Sequence, residues 1–341
     1  MRPLLAALGL AALTVLAATA PVAADDSGSD GAHTAFTIAD PRVKESSGLA
    51  ASRAHPGVYW THNDSGDGPY AYAVDSRTGR TLARVTLEGV QARDVEAISV
   101  GPDGDVYLGD IGDNLGGTWP EVRIYRFHEP RELTGEITLT PTRYTVRYED
   151  GPRDAESMMV HPKTGRVYIA SKKKSGKGAL YEAPQTLSAS GVNTFRRIAD
   201  INLWATDGAF SPDGTRLVVR GYFDAREYRW EDGRPQEIGR PGVPLQRQGE
   251  SVTFTPDGRA LMYGSEGAGS RVTPVELSGE LLPDSAAKEN KNPSRGGGEQ
   301  AAGEDDGDGN RTLTLGAGAL AVVAVLALGV RWLFRRRPGG T

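Results

Sequence analysis

Between about residue 33 and residue 283 the chain alternates short apolar runs with clusters of Gly, Pro, Asn and Asp, and no long stretch repeats its apolar residues at helical spacing. That pattern predicts short strands joined by tight turns. The runs recur as one unit. "SGLAASRAHPGVYWTHNDSG" (47–66), "EAISVGPDGDVYLGDIGDN" (96–114), "ESMMVHPKTGRVYIASKKKSG" (156–176), "DGAFSPDGTRLVVRGYFD" (207–224) and "ESVTFTPDGRALMYGSEG" (250–267) each give a strand, a hairpin turn and a second strand. In "GPDG", "SPDG" and "TPDG" the proline presets the φ that the turn wants, and the glycine supplies its left-handed position. A third strand follows each hairpin, at 71–75, 122–127, 179–183, 226–230 and 271–277. A weaker fourth follows in most copies, as at 80–87 and 142–149.

Repeated four-stranded meanders are the signature of an all-β fold, the β-propeller. One such sheet cannot cover both of its faces, whereas radially arranged blades cover one another. The fifth copy ends before a fourth strand, and "HTAFTIAD" (33–40) has no partner in its own copy. These two are expected to pair, closing a ring of five four-stranded blades over 33–282. A six-bladed ring with a degenerate blade between 115 and 150 is the alternative.

Both ends of the chain differ from this body. Residues 1–24 carry Arg2, an apolar run and small residues at Val22 and Ala24, the pattern of a signal peptide cleaved after Ala24. An uncleaved anchor is the alternative, for which the apolar run is short. Residues 313–330, "LTLGAGALAVVAVLALGV", hold no charge and precede Arg331, Trp332 and Arg335 to Arg337. At about 1.5 Å per residue they span roughly 27 Å, close to the hydrocarbon thickness of a bilayer. A transmembrane helix is therefore expected over 313–334, with a basic tail at 335–341 on the cytoplasmic side; a buried globular helix is the alternative. Residues 283–311 are almost free of apolar side chains and are expected to form a disordered stalk. This layout puts the propeller outside the cell membrane as a single-pass ectodomain.

Composition narrows the chemistry. The 341 residues include no cysteine, which removes disulfides and thiolate mechanisms. A formal charge of −5, spread without a basic patch, argues against a nucleic-acid partner.

In a propeller the first strand of each blade lines the channel, so the starts of first strands and the ends of second strands share one face. The starts supply Glu45, Ser46, Asp94, Glu96, Asp154, Glu156, Asp207 and Glu250. The ends supply His62, Asn63, Asp64, Asp110, Asp113, Asn114, Ser171, Lys172, Lys173, Arg220, Tyr222, Ser265 and Glu266, of which His62, Asp64, Asp110, Asp113, Asn114, Lys172, Arg220 and Glu266 are the candidate ligand-binding residues. Carboxylates gathered at one mouth repel one another and cost stability unless cations compensate. Lys172 and Arg220 compensate in part. Calcium, which takes about six to eight oxygen ligands, fits the remainder, with Asp94, Glu96, Asp154, Glu156, Asp207 and Glu250 as candidate metal ligands. A mouth neutralised by salt bridges without metal is the alternative. Zinc is disfavoured, because His62 alone offers imidazole on this face.

The openings "DVEAISVGPDG", "DAESMMVHPKTG" and "QGESVTFTPDG" resemble those of the calcium-dependent phytase-like propellers, the group with esterase-like activity of phytase. More distantly they are similar to the gluconolactonase-like propellers. The resemblance spans roughly 45–277. It implies that Asp94, Glu96, Asp154, Glu156 and Glu250 bind metal or activate water, with Glu96 and Glu156 as catalytic residues. It further implies that Lys172 and Arg220 hold an anionic phosphate or ester group. Two departures stand out: the copy at 207–224 offers one carboxylate, and the first copy opens with Ser46 and Ser47. Two functions are thus expected to compete. One is a membrane-anchored binding module for an extracellular protein, glycan or anionic small molecule; the other is a metal-dependent hydrolase of phosphate esters or related anions.

Overall fold

The computed structural model describes residues 33–291 except Ser65 and Gly176. The expected signal peptide, the transmembrane segment 313–334 and the basic tail 335–341 lie outside the described residues. Among the described residues no helix is long and apolar enough to cross a membrane.

The described residues run through twenty-one strands before their only α-helix. A short β1 (Phe36–Thr37) precedes β2 (Ser46–Ala51), β3 (Val58–Asn63), β4 (Tyr70–Asp75) and β5 (Thr81–Leu87). Then come β6 (Val95–Val100), β7 (Asp105–Asp110), β8 (Val122–His128), β9 (Gly135–Leu139) and β10 (Thr142–Tyr148). Next are β11 (Ala155–Val160), β12 (Val167–Ser171), β13 (Gly178–Glu182) and β14 (Val192–Ile201). The last strands are β15 (Ala205–Phe210), β16 (Arg216–Gly221), β17 (Ala225–Glu231), β18 (Arg234–Gly239), β19 (Gly249–Phe254), β20 (Ala260–Ser265) and β21 (Arg271–Glu276). A 3-10 turn at Gly279–Leu281 leads into α1 (Asp284–Lys291).

The fold is all-β and propeller-like. Successive strands pair antiparallel as meanders: β2-β3-β4-β5, β6-β7-β8-β10, β11-β12-β13-β14, β15-β16-β17-β18 and β19-β20-β21. The N-terminal strand β1 completes the last of these, with Phe36 opposite Val272. The stretch 115–150 forms no sheet of its own. Its β9 adds in parallel to the outer edge of β5, and β8 and β10 belong to the sheet of β6. A parallel pairing of β10 with β14 joins two meanders into one eight-stranded sheet.

The first strands pack in a closed cycle, β2 beside β6, then β11, β15, β19 and back to β2. Covered on both faces, β11, β16, β19 and β20 are buried at every residue, so they read as continuous runs rather than alternating ones. Apolar clusters fill the spaces between neighbouring meanders. Trp60 of β3 meets Phe127 of β8 edge-on at 5.8 Å, and Tyr148 of β10 meets Tyr181 of β13 at 4.9 Å. Tyr168, Phe210 and Trp230 interlock between the sheets of β12 and β15. The hairpin glycines Gly57, Gly104, Gly165, Gly214 and Gly258 all take φ between 67° and 78°, which locates each turn where the sequence put it.

One expected boundary is corrected. The stalk was expected from 283, yet Asp284–Lys291 is helical. Ala286 is buried with Leu277, Leu282 and Phe254, and Asp213 accepts a hydrogen bond from Ser285 N at 2.9 Å. Two alanines in "PDSAAKEN" present enough apolar surface to dock one turn, and Asp284 in the first turn favours the helix start. The rest of the stalk lies outside the described residues.

Candidate functional site

Every inner strand breaks register with its partner near its second residue. The pairing skips Glu96 in β6, Glu156 in β11 and Thr206 in β15. In β2 it jumps from Ser46 to Leu49, and in β19 from Gly249 to Val252. A bulge leaves its extra residue out of the ladder and re-aims the side chain. Ser47, Glu96, Glu156, Thr206 and Glu250 thereby become equivalent positions, and all five are buried. They converge: the Ser47 hydroxyl reaches Glu250 Oε2 at 3.0 Å and Glu96 Oε2 at 3.4 Å, and the Thr206 hydroxyl donates to Glu250 O at 2.8 Å.

Asp64, just after β3, and Asp94, just before β6, join this ring. One carboxylate oxygen from each of Asp64, Asp94 and Glu96 lies within 4.8 Å of the others. Burial first, and then the neighbouring Asp64 charge, push the Asp94 carboxyl up to about 6 and that of Glu96 well above the usual carboxylate range. Asn114 Nδ2 donates to Asp94 at 3.1 Å. Across the mouth, burial and a hydrogen bond with Glu250 push Glu266 up to about 8.

Lys172, which follows β12, is bonded through Nζ to Glu156 Oε1 and donates to Tyr222 Oη at 3.1 Å. The other oxygen, Glu156 Oε2, is buried and accepts no hydrogen bond among the described residues. A buried carboxylate oxygen without a partner is costly, and a ligand is one way of meeting that cost.

The remaining expected residues serve the backbone. Asp110 accepts hydrogen bonds from Arg93 N at 3.1 Å and Asp94 N at 2.8 Å, fixing the entry into β6. Asn63 does the same for Lys44 and Glu45 before β2. Asp113 gathers the loop after β7 by accepting from Trp119 N at 2.6 Å and Thr118 Oγ1 at 3.2 Å. Asp154 accepts from Asp113 N at 3.0 Å. His62 is fully buried and its Nδ1 donates to Asn63 O at 2.9 Å; burial lowers its pKa.

Asp207 and Arg220 stand apart from the mouth acids. The bulge falls on Thr206, so Asp207 lies one residue beyond the position equivalent to Glu96 and Glu156. There it accepts from Val252 N and Gly208 N, both at 2.8 Å, and binds neighbouring inner strands together. Arg220 pairs with Asp207 across the ladder and is fully buried. Its guanidinium donates to Ser251 O at 2.9 Å and Gly264 O at 3.0 Å and lies 4.9 Å from the Tyr263 ring, so it is not presented to an anion at the mouth.

Tyr222, expected at the mouth, bridges Lys172 and the Glu250 carboxyl. One residue at the mouth was not among the expected ones. Trp204 occupies the position of Asp94 and Asp154, two residues before the bulge, and this spacing is the sequence signal that could have found it.

No family model matches the chain, and no curated protein is similar to it at a significant level. Among solved structures, it is similar to a chain of a mitotic checkpoint complex, at 12% identity and a TM-score of 0.38 over 68% of this chain. It is also similar to a protein described as a candidate 6-phosphogluconolactonase from Bacteroides uniformis, at 13% identity and a TM-score of 0.38 over 70% of this chain. The chain spans 61% of the first of these and 69% of the second. Neither likeness carries a functional argument.

Proposed function

We propose that the chain is an extracytoplasmic binding module: a five-bladed propeller, closed by β1 on β21, whose acidic mouth holds Ca²⁺ and which segment 313–334 anchors in the membrane. The observation that carries this reading is the convergence of Asp64, Asp94 and Glu96, with carboxylate oxygens within 4.8 Å of one another. Two oxygens on opposite sides of a calcium ion, each at about 2.4 Å, are about 4.8 Å apart, so the set fits one hard cation. The unpartnered Glu156 Oε2 is a second, independent sign that the mouth is built for a ligand. Lys172 is bonded to Glu156, while burial pushes Asp94 and Glu96 toward their neutral forms, a cost that a bound cation would remove.

Binding is favoured over hydrolysis of phosphate esters because the expected anion holders are engaged. Arg220 is occupied by backbone carbonyls, and Lys172 by Glu156. Calorimetric titration of the full chain with calcium is expected to show binding that Asp94→Asn and Glu96→Gln each weaken at least tenfold. Heat from calcium that neither substitution changes would remove the mouth as the cation site. Phosphomonoester turnover abolished by Glu96→Gln would favour the hydrolase instead. A chain ending at residue 312 is expected in the medium rather than in the membrane fraction.

A further inference from the structure

The rim of the same mouth also carries a group of aromatic rings and lysines. Trp204, before β15, packs edge-on against Tyr222, after β16, with ring centroids 4.9 Å apart; Phe223 continues the ledge 6.3 Å from Tyr222. Phe223 is 84% exposed, so most of its ring is open to solvent. Beside the ledge, residues of three meanders line a cavity of about 450 Å³, among them Asn114, Asp154, Ser171, Lys173, Lys174 and Trp204. Lys172 and Lys174 each lie 6.0 Å from the Trp204 ring.

The charges of this cleft differ from those of the mouth centre. Arg153 is paired with Asp150, and Lys172 with Glu156, so these cations are already balanced. Lys173 and Lys174 are exposed, and they outnumber Asp154. From this combination we infer that the cleft binds an acidic saccharide. The ring faces of Trp204 and Phe223 pack against the C–H faces of pyranose rings. Asn114, Ser171 and Asp154 offer both donors and acceptors for hydroxyls. Lys173 and Lys174 pair with carboxylates. A cavity of this size is in the range that holds a small ligand, and its lining is mostly polar, with Pro152 and Trp204 supplying the apolar surface. The steps between the rings, edge-on from Trp204 to Tyr222 and tilted from Tyr222 to Phe223, suit a chain of puckered sugars better than one flat ring.

This inference rests on the reading of the mouth as a binding surface, and it does not draw on the cation. The test is titration of the full chain with trigalacturonate, read by tryptophan fluorescence and by calorimetry, in chelator. Saturable binding is expected, with a fluorescence change that Trp204→Ala removes. Phe223→Ala, at an exposed position, is expected to weaken binding at least fivefold. Lys173→Gln with Lys174→Gln is expected to weaken it at least tenfold and to flatten its salt dependence. The methyl ester of the same trisaccharide, which keeps the rings and removes the charge, is expected to bind at least tenfold more weakly. No binding of trigalacturonate would overturn the inference. So would equal binding of the ester, indifference to both Phe223→Ala and the double lysine variant, or tighter binding of a nucleoside monophosphate. Saccharide binding without calcium uptake would retire the cation alone; calcium uptake without saccharide binding would retire the saccharide alone.

Discussion

Asp213, in the turn after β15, and Asp94, at the approach to β6, are aspartates at opposite ends of equivalent strands. Their surroundings treat them in opposite ways. Burial alone would push the Asp213 carboxyl up, but hydrogen bonds from Ser285 N, Thr215 N and the Ser211 and Thr215 hydroxyls outweigh it and hold the group down at about 2. At Asp94 burial has the support of neighbouring carboxylates, and the group rises to about 6. Asp257 in another turn follows Asp213, and Glu96 and Glu266 at the mouth follow Asp94. Asp213 and Asp257 at the turn end hold the fold together, whereas Asp94, Glu96 and Glu266 at the mouth end work against it. A group kept at a cost to stability is a candidate for function, and the contrast identifies which carboxylates those are.

The largest effect should come from the turn end. Asp213→Ala removes an acceptor from backbone and hydroxyl donors and unties Ser285, at an expected cost of about 2–3 kcal/mol in urea unfolding. The corresponding loss at the mouth, Glu96→Gln, should leave stability in chelator unchanged or higher. A large loss there would break the contrast.

The two ends should also differ in the sign of their pH dependence. Asp213 contributes stability that is present above its ordinary value of 3.8 and is lost as pH falls toward 2. Asp94 contributes stability that is present below 3.8 and lost as pH rises through about 6, and Glu266 extends this loss toward about 8. In chelator, the unfolding free energy read from urea titrations should therefore fall between about pH 4 and pH 8, by at most about 1.4 kcal/mol per pH unit for each group. Asp94→Asn should flatten that slope, and Asp213→Asn should flatten the acid limb instead.

Smaller changes sharpen the picture at the bulges. Thr206→Glu installs the carboxylate that the sheet of β15 lacks, and thermal melting in chelator should show a loss of about 1 kcal/mol. Ser47→Ala removes the hydroxyl shared by Glu96 and Glu250, for an expected loss of at most about 1 kcal/mol in the same measurement.

The meanders were legible because their signals are local: PDG turns at regular spacing, apolar runs between them, and an orphan strand at 33–40 that β21 accepts. The mouth was legible in part. Asp94 and Glu96 were expected to meet Asp64, and these three do meet. Asp207 shows where this approach stopped. Its spacing in the sequence suggested the same slot as Glu96, but slot membership is set by the bulge, a property of register between two strands, and the bulge falls on Thr206. Arg220 shows another limit, because an arginine near a strand end can turn outward to solvent or inward to carbonyls, and only the packed neighbour decides. The helix at 284–291 was missed because a polar segment reads as unstructured until a surface exists for its two alanines to cover.

A cation at the mouth is tested most directly by melting the purified protein in calcium and in chelator, with Glu96→Gln alongside. Calcium at a hundred times its Kd should stabilise the native chain by about 2.7 kcal/mol, roughly 5–10 °C in midpoint, and Glu96→Gln should lose most of that gain. Equal midpoints with millimolar calcium and with chelator would contradict a cation at Asp64, Asp94 and Glu96.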